Sequence, residues 1–369
     1  MRHLPIHRLA AAALLGAGGL ALLSSPLGAQ GGPPPGPQAA EAVTIALKES
    51  FDVPLADAQT EAIVAAAQAF LATLTDEQRT AVVFPLGDNA QRANWSNLPP
   101  PIVERAGVRR GDMSETQLAA LDALLATAMS EEGFLNVLYQ LEAEDQLTDG
   151  GPGGLLFGAE HYAVSFLGEP STTQPWMLQF GGHHLAINVT MWGPDVSFSP
   201  MLTGGQPLSI TFGGQPIYIT ADETAAARRL MDALTDEQRG LAVRGDEPIN
   251  LLLGPGEFGT ALAPEGIAGR DLTEAQQALL LAVIEARLSF INADDFAAKM
   301  KTVRAELADT HFAWWGPAEP LGAAYFRVTG PSVVMEYAPQ DMGGDPAEHA
   351  HNMYRDPTND YGVAWIGVE

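Results

Sequence analysis

The chain contains no cysteine. Disulfides, thiolate metal sites, cysteine nucleophiles and cysteine-linked lipids are therefore excluded. Any transition-metal site must be built from histidine and carboxylate. Cations are scarce as well: 19 Lys+Arg stand against 45 Asp+Glu, a formal net charge of −26. That excess disfavours a nucleic-acid partner, because phosphate binding needs a basic surface to release counterions. It disfavours an anionic membrane surface for the same reason. Phosphate-loop, dinucleotide-fingerprint, nucleophile-elbow and His-Glu-x-x-His motifs are missing too. What 369 residues do supply is a hydrophobic share of 46 %, enough for real cores in one large domain or two modest ones.

The N-terminus reads as a leader. Arg2, His3, His7 and Arg8 form a weakly basic start, and no acid appears before Glu41. Leu9 to Leu23 is apolar, and Pro26-Leu27-Gly28-Ala29 offers small residues for cleavage after Ala29. The run is short for a span needing about 20 residues, so residues 1–29 are expected to be a cleaved signal and the protein periplasmic or secreted. Residues 30–45 hold the run Gly31 to Pro37, GGPPPGP, which reads as a flexible linker. No later stretch is apolar enough for stable membrane insertion.

The remainder carries one pattern twice. LTDEQR occupies Leu74 to Arg79 and recurs at Leu234 to Arg239. Thr75 with Gln78 and Thr235 with Gln238 fit capping boxes, and so do Ser114 with Gln117 and Thr273 with Gln276. Further on, His161-Tyr162-Ala163 matches His311-Phe312-Ala313. Trp176 to Thr190 and Tyr325 to Tyr337 both read as paired strands around a glycine turn. The expected fold is α+β and internally duplicated, each unit a helical pair followed by a β-meander, related by a pseudo-two-fold. The units are placed at 46–220 and 221–369, the second with a His/Asp-rich tail, and a site is expected where their β-parts meet.

Histidines point to that site. Outside the leader they are His161, His183, His184, His311, His349 and His351, all in expected strand or loop segments. On a strand His183 would share a face with Leu185, and His184 with Ala186 and Asn188. His349 and His351 would share a face if extended, a usual way to hold a transition metal. The preceding Asp345-Pro346 pair also fits a helix start, which would split them. The candidate ligands are His183, His184, His349 and His351, and the candidate ion is divalent Zn, Cu or Fe.

Glu336, in the Val-rich stretch 333–337, is a candidate ligand or general base, since a carboxylate there is expensive unless paired or wet. Asp356 and Asp360 can orient imidazole N–H groups or simply stiffen a turn; Asp360 is the second candidate base. Arg92 and Arg105 flank a Pro-rich connection and are candidates for pairing with local carboxylates or an anionic group. The Gly150–Gly154 cluster reads as a loop, without the lysine of a phosphate loop.

Several of these stretches together resemble a known family. Arg92 with Trp95, Glu160 to Phe166, Pro170-Ser171 before Pro175-Trp176, Gly182-His183-His184-Leu185 and the run Tyr354-Arg355-Asp356-Pro357-Thr358-Asn359-Asp360-Tyr361-Gly362 resemble the DUF3500 family of exported bacterial proteins of unknown function. The resemblance implies an exported, duplicated α+β protein and brings no activity. Three functional readings follow. One is a metal-binding protein, whose catalytic form would be a metal-dependent hydrolase acting on a small molecule. Another is a small-ligand or glycan-binding module using Trp176, Trp192, Trp314 and Trp315. The third is a structural protein whose histidines only fill hydrogen bonds.

Overall fold

The computed structural model describes residues 44–148, 156–257, 262–341 and 344–368. The expected leader at 1–29, all but the last two residues of the linker at 30–45, and the 150–154 loop lie outside them.

Ten α-helices and a large mixed sheet make up the described residues. The first half runs α1 (Ala58–Ala72), α2 (Asp76–Val82), β1 (Val83–Phe84), α3 (Asn89–Arg92), β2 (Val108–Arg109), α4 (Glu115–Ala128) and α5 (Glu131–Gln146). It continues with β3 (Ala163–Leu167), β4 (Trp176–Gly181), β5 (Ala186–Trp192), β6 (Asp195–Ser197), β7 (Met201–Gly205), β8 (Ser209–Phe212) and β9 (Gln215–Tyr218). The second half holds α6 (Ala221–Ala233), α7 (Asp236–Ala242), β10 (Val243–Gly245), β11 (Ile267–Ala268), α8 (Glu274–Leu288) and α9 (Ala293–Ala305). It ends with β12 (His311–Trp315), β13 (Tyr325–Thr329), β14 (Val334–Pro339), β15 (Ala350–Arg355) and the short α10 (Val363–Ile366). The helices before each meander are thus more than a pair.

All four capping boxes form. They also lock to one another in the same way in both halves. Gln117 accepts from Ser114 N (2.8 Å) and donates to Thr73 O (3.0 Å) and Gln78 Oε1 (2.7 Å). Gln276 accepts from Thr273 N (2.9 Å) and donates to Ala233 O (2.8 Å) and Gln238 Oε1 (2.7 Å). Each glutamine therefore staples the start of one helix to the end of an earlier one. Gln117→Ala strips partners from the half-buried Thr73 carbonyl and Gln78 amide and from the Ser114 N–H and is expected to cost about 0.5–2 kcal/mol, read as a lower denaturant midpoint. An unchanged midpoint would show that the staple does nothing for stability.

Strand order in the sheet is β1-β3-β4-β5-β7-β15-β14-β13-β12-β10, with β2, β6 and β11 pairing alongside. The pairs β1–β3 and β10–β12 are parallel and the other pairs antiparallel. β7 and β15 pair at the middle, Gly204 opposite His351, so strands from the two halves share one sheet. Both faces are covered. One face packs on the long helices through Ile63, Leu121, Val137, Leu230 and Leu280. The other lies under irregular segments carrying Ile45, Trp95, Leu251, Tyr361 and Ile366. This double burial is why β3, β7 and β13 are inaccessible along their whole length. No helix among the described residues is long and apolar enough to cross a membrane.

The candidate metal centre

The two β-hairpins at the heart of the sheet turn in the same way. Gly182 N donates to Leu185 O (2.9 Å) between β4 and β5, and Gly330 N to Val333 O (2.7 Å) between β13 and β14. Where the second turn reads Gly-Pro-Ser-Val, the first reads Gly-His-His-Leu. His183 and His184 are therefore turn residues, and the strand alternation expected for them does not apply. His184 is left-handed, with φ 55°, a conformation costing a non-glycine residue about 1–2 kcal/mol. It brings the two rings together instead of opposing them: their centroids lie 3.6 Å apart. Gly182 has no room for a side chain, because a Cβ would fall 2.6 Å from the Tyr162 ring. Tyr162 in turn donates to the His183 carbonyl and fixes the turn from below.

The second histidine pair arrives from β15. Asp345 caps Ala347 N at 2.9 Å, and a single 3₁₀ turn spans Pro346–Glu348. The helix signal in the sequence is thus real but one turn long. His349 is extended (φ −144°, ψ 117°) and His351 lies in β15. The two rings end 5.4 Å apart.

The four rings converge. His184 Nε2 sits 2.8 Å from His349 Nε2, and the His184 and His351 centroids are 5.1 Å apart. Ligand atoms of His184, His349 and His351 all lie within 4.8 Å of one another. Around an ion with Zn–N bonds near 2.0–2.1 Å, neighbouring tetrahedral nitrogens are about 3.3 Å apart, so small ring rotations suffice. His349 Nδ1 and His351 Nε2 are buried without partners among the described residues, an expensive condition for polar atoms unless something else binds there. The other nitrogen of His351, Nδ1, faces Asn97 Nδ2 at 3.4 Å.

Electrostatics favour the ligand form. Burial, then the neighbouring rings, hold His184 and His351 well below the usual histidine value. Burial, then His183, lowers His349 to about 3. Neutral imidazole is the form that binds metals. Between about pH 3 and 6.5 the unfolded chain takes up a proton at His349 that the folded chain refuses, so stability falls as the pH drops through that window. In metal-free protein, the melting temperature of the wild type should therefore drop more than that of His349→Asn when the pH goes from 7 to 5. Parallel losses would contradict this.

Sequence reasoning missed Glu144. It lies on α5, and its carboxylate oxygens are 3.0 and 3.3 Å from His183 Nδ1. Glu144, His183 and His184 make a second set of clustered ligand atoms. A signal existed, since Asn136, Gln140 and Glu144 follow at helical spacing on the buried side of α5. Read at intervals of four, they place a carboxylate inside the core.

A family model described as "Protein of unknown function (DUF3500)" matches residues 56–363. The chain belongs to the DUF3500 family. Comparison with the curated proteins gives no match, and comparison with the solved structures gives none either.

Other candidate residues of this DUF3500 chain are held elsewhere. Glu336 accepts from Leu252 N (2.9 Å), Leu253 N (2.7 Å) and the Tyr325 hydroxyl (2.6 Å). Asp360 pairs with Arg355 (2.7 Å) and accepts from Ser199 Oγ (2.6 Å). Asp356 pairs with Lys299 at 2.6 Å. None of these three carboxylates belongs to the clustered ligand sets. Arg92 and Arg105 were expected on carboxylates or an anion. Arg92 instead holds Asn89 Oδ1 (2.7 Å) and the Leu86 carbonyl, and Arg105 holds carbonyls that include Gly182 O (3.1 Å). Trp176, Trp314 and Trp315 are core residues, and only Trp192 is half-buried, stacked on Trp365. A tryptophan-lined ligand seam is therefore not formed by the four together.

Proposed function

We propose that this protein is an exported metalloprotein that holds one divalent Zn, Cu or Fe ion on His184, His349 and His351. The observation that carries the reading is the convergence of three buried neutral imidazoles whose ring nitrogens are not all satisfied by the described residues. Three protein ligands leave a position open, the arrangement of catalytic rather than structural ions. An ion of this kind supplies a hydroxide at neutral pH by acidifying bound water.

The chain's own residues support a hydrolytic reaction on a small molecule. Glu144 accepts a hydrogen bond from Nδ1–H of His183, the tautomer that leaves Nε2 of that ring as a proton acceptor beside the centre. This role is assigned to His183 rather than to Glu336 or Asp360, whose oxygens are engaged elsewhere. Metal-replete protein should hydrolyse chromogenic esters or phosphoesters. His183→Ala should slow turnover about 10²–10⁴-fold with the metal retained. A metal-replete protein that cleaves none of them defeats the catalytic part and leaves a binding ion.

The same proposal includes export and duplication. The recurrent glutamine staples and the matched hairpin turns support descent of 46–220 and 221–369 from one unit. Cleavage after Ala29 predicts that protein from the periplasm or medium begins at Gln30, which N-terminal sequencing checks.

A further inference from the structure

A pocket of about 340 Å³ opens beside the histidine turn, lined by Pro100, Pro101, Glu104, Arg105, Arg109 and His161. Three of its six wall residues are basic side chains, in a protein with 19 Lys+Arg and 45 Asp+Glu. Arg105 is the deepest, only 7 % exposed. Its partners among the described residues are four backbone carbonyls, of Ser96, Leu98, Val103 and Gly182. Carbonyls satisfy its N–H groups but leave the charge uncompensated, and a buried charge without a counterion is costly. Arg109 shares its guanidinium with Asp112 at 2.9 Å. The acidic wall residue is Glu104.

The pocket is also tied to the centre. Arg105 grips the carbonyl of Gly182, the residue before His183. The segment bearing Arg105 also carries Asn97, which contacts His351. We infer that this pocket receives the anionic group, a phosphate or carboxylate, of the small molecule brought to the histidine centre. This substrate class rests on the metal reading for its purpose, while the pocket's affinity for anions stands without it.

Inorganic phosphate is the probe, and calorimetry on full-length mature protein stripped of metal is the measurement, so that phosphate cannot bind through an ion. Wild type should bind phosphate. Arg109→Ala and His161→Ala should each weaken binding about tenfold, and Glu104→Gln should tighten it. Arg304→Ala, whose partner is Glu285 on a distant helix pair, should bind as the wild type does. No binding by the metal-free wild type overturns the inference. Equal binding by Arg109→Ala, His161→Ala and wild type overturns it as well, and so does phosphate binding that appears only with metal. A chain that takes up no metal defeats the centre instead and leaves the phosphate result standing.

Discussion

Replacing His349 with alanine is expected to weaken transition-metal binding by more than about 100-fold, because changes even one shell further out cost about 10–100-fold. His184→Ala and His351→Ala should do the same. Glu144→Gln acts through His183, not through the three proposed ligands, and should leave metal affinity close to that of the wild type. Stability follows affinity. An ion held at 1,000 times its dissociation constant adds about 4.1 kcal/mol to the folded state, and His349→Ala should lose that gain. Competition with a chromophoric chelator reads the affinity, and melting with and without metal reads the stability. A His349→Ala protein that competes as well as the wild type would remove His349 from the centre.

The second large effect lies at the other end of β15. Arg355 and Asp360 are paired at 2.7 Å with side chains 0 % and 2 % exposed. The guanidinium also donates to Leu253 O (3.0 Å) and Gly254 O (2.8 Å) and lies 5.5 Å over the Trp95 ring. Asp360→Asn leaves a buried charge without its counterion, a change that costs about 3–5 kcal/mol. At about 2.1 cal/mol/K per residue over a chain of this length, that amounts to a fall in melting temperature of roughly 4–7 °C. Changing both partners, Arg355→Met with Asp360→Leu, should recover part of the loss, since an apolar pair needs no counterion while Leu253 O and Gly254 O still lose their donor. If Asp360→Asn melts with the wild type, the pair is not what secures the tail against the sheet.

Local rules made much of this fold legible in the sequence. The four capping boxes, the recurrence of LTDEQR and the paired strands all follow from nearest-neighbour chemistry, and all form. His349 and His351 were equally readable as a pair, with only strand or helix left open. The pair at His183 and His184 was recognised, but alternation was the wrong rule, because the glycine turn extends through both residues and puts His184 at positive φ. Glu144 escaped because its significance depends on a ring 39 residues away. Glu336 and Asp360 looked available for the same reason. The amides of Leu252 and Leu253 and the guanidinium of Arg355 that occupy them are tertiary partners, which no local pattern reveals. The tryptophans mislead in the familiar direction: a large aromatic on an alternating strand is usually core.

Three histidines from two distant segments are proposed to hold one ion. Elemental analysis of untagged mature protein, purified without chelator and equilibrated with Zn, Cu and Fe salts, tests it most directly. One ion per chain is expected in the wild type and essentially none in His349→Ala. A folded wild type that stays metal-free with all three contradicts it.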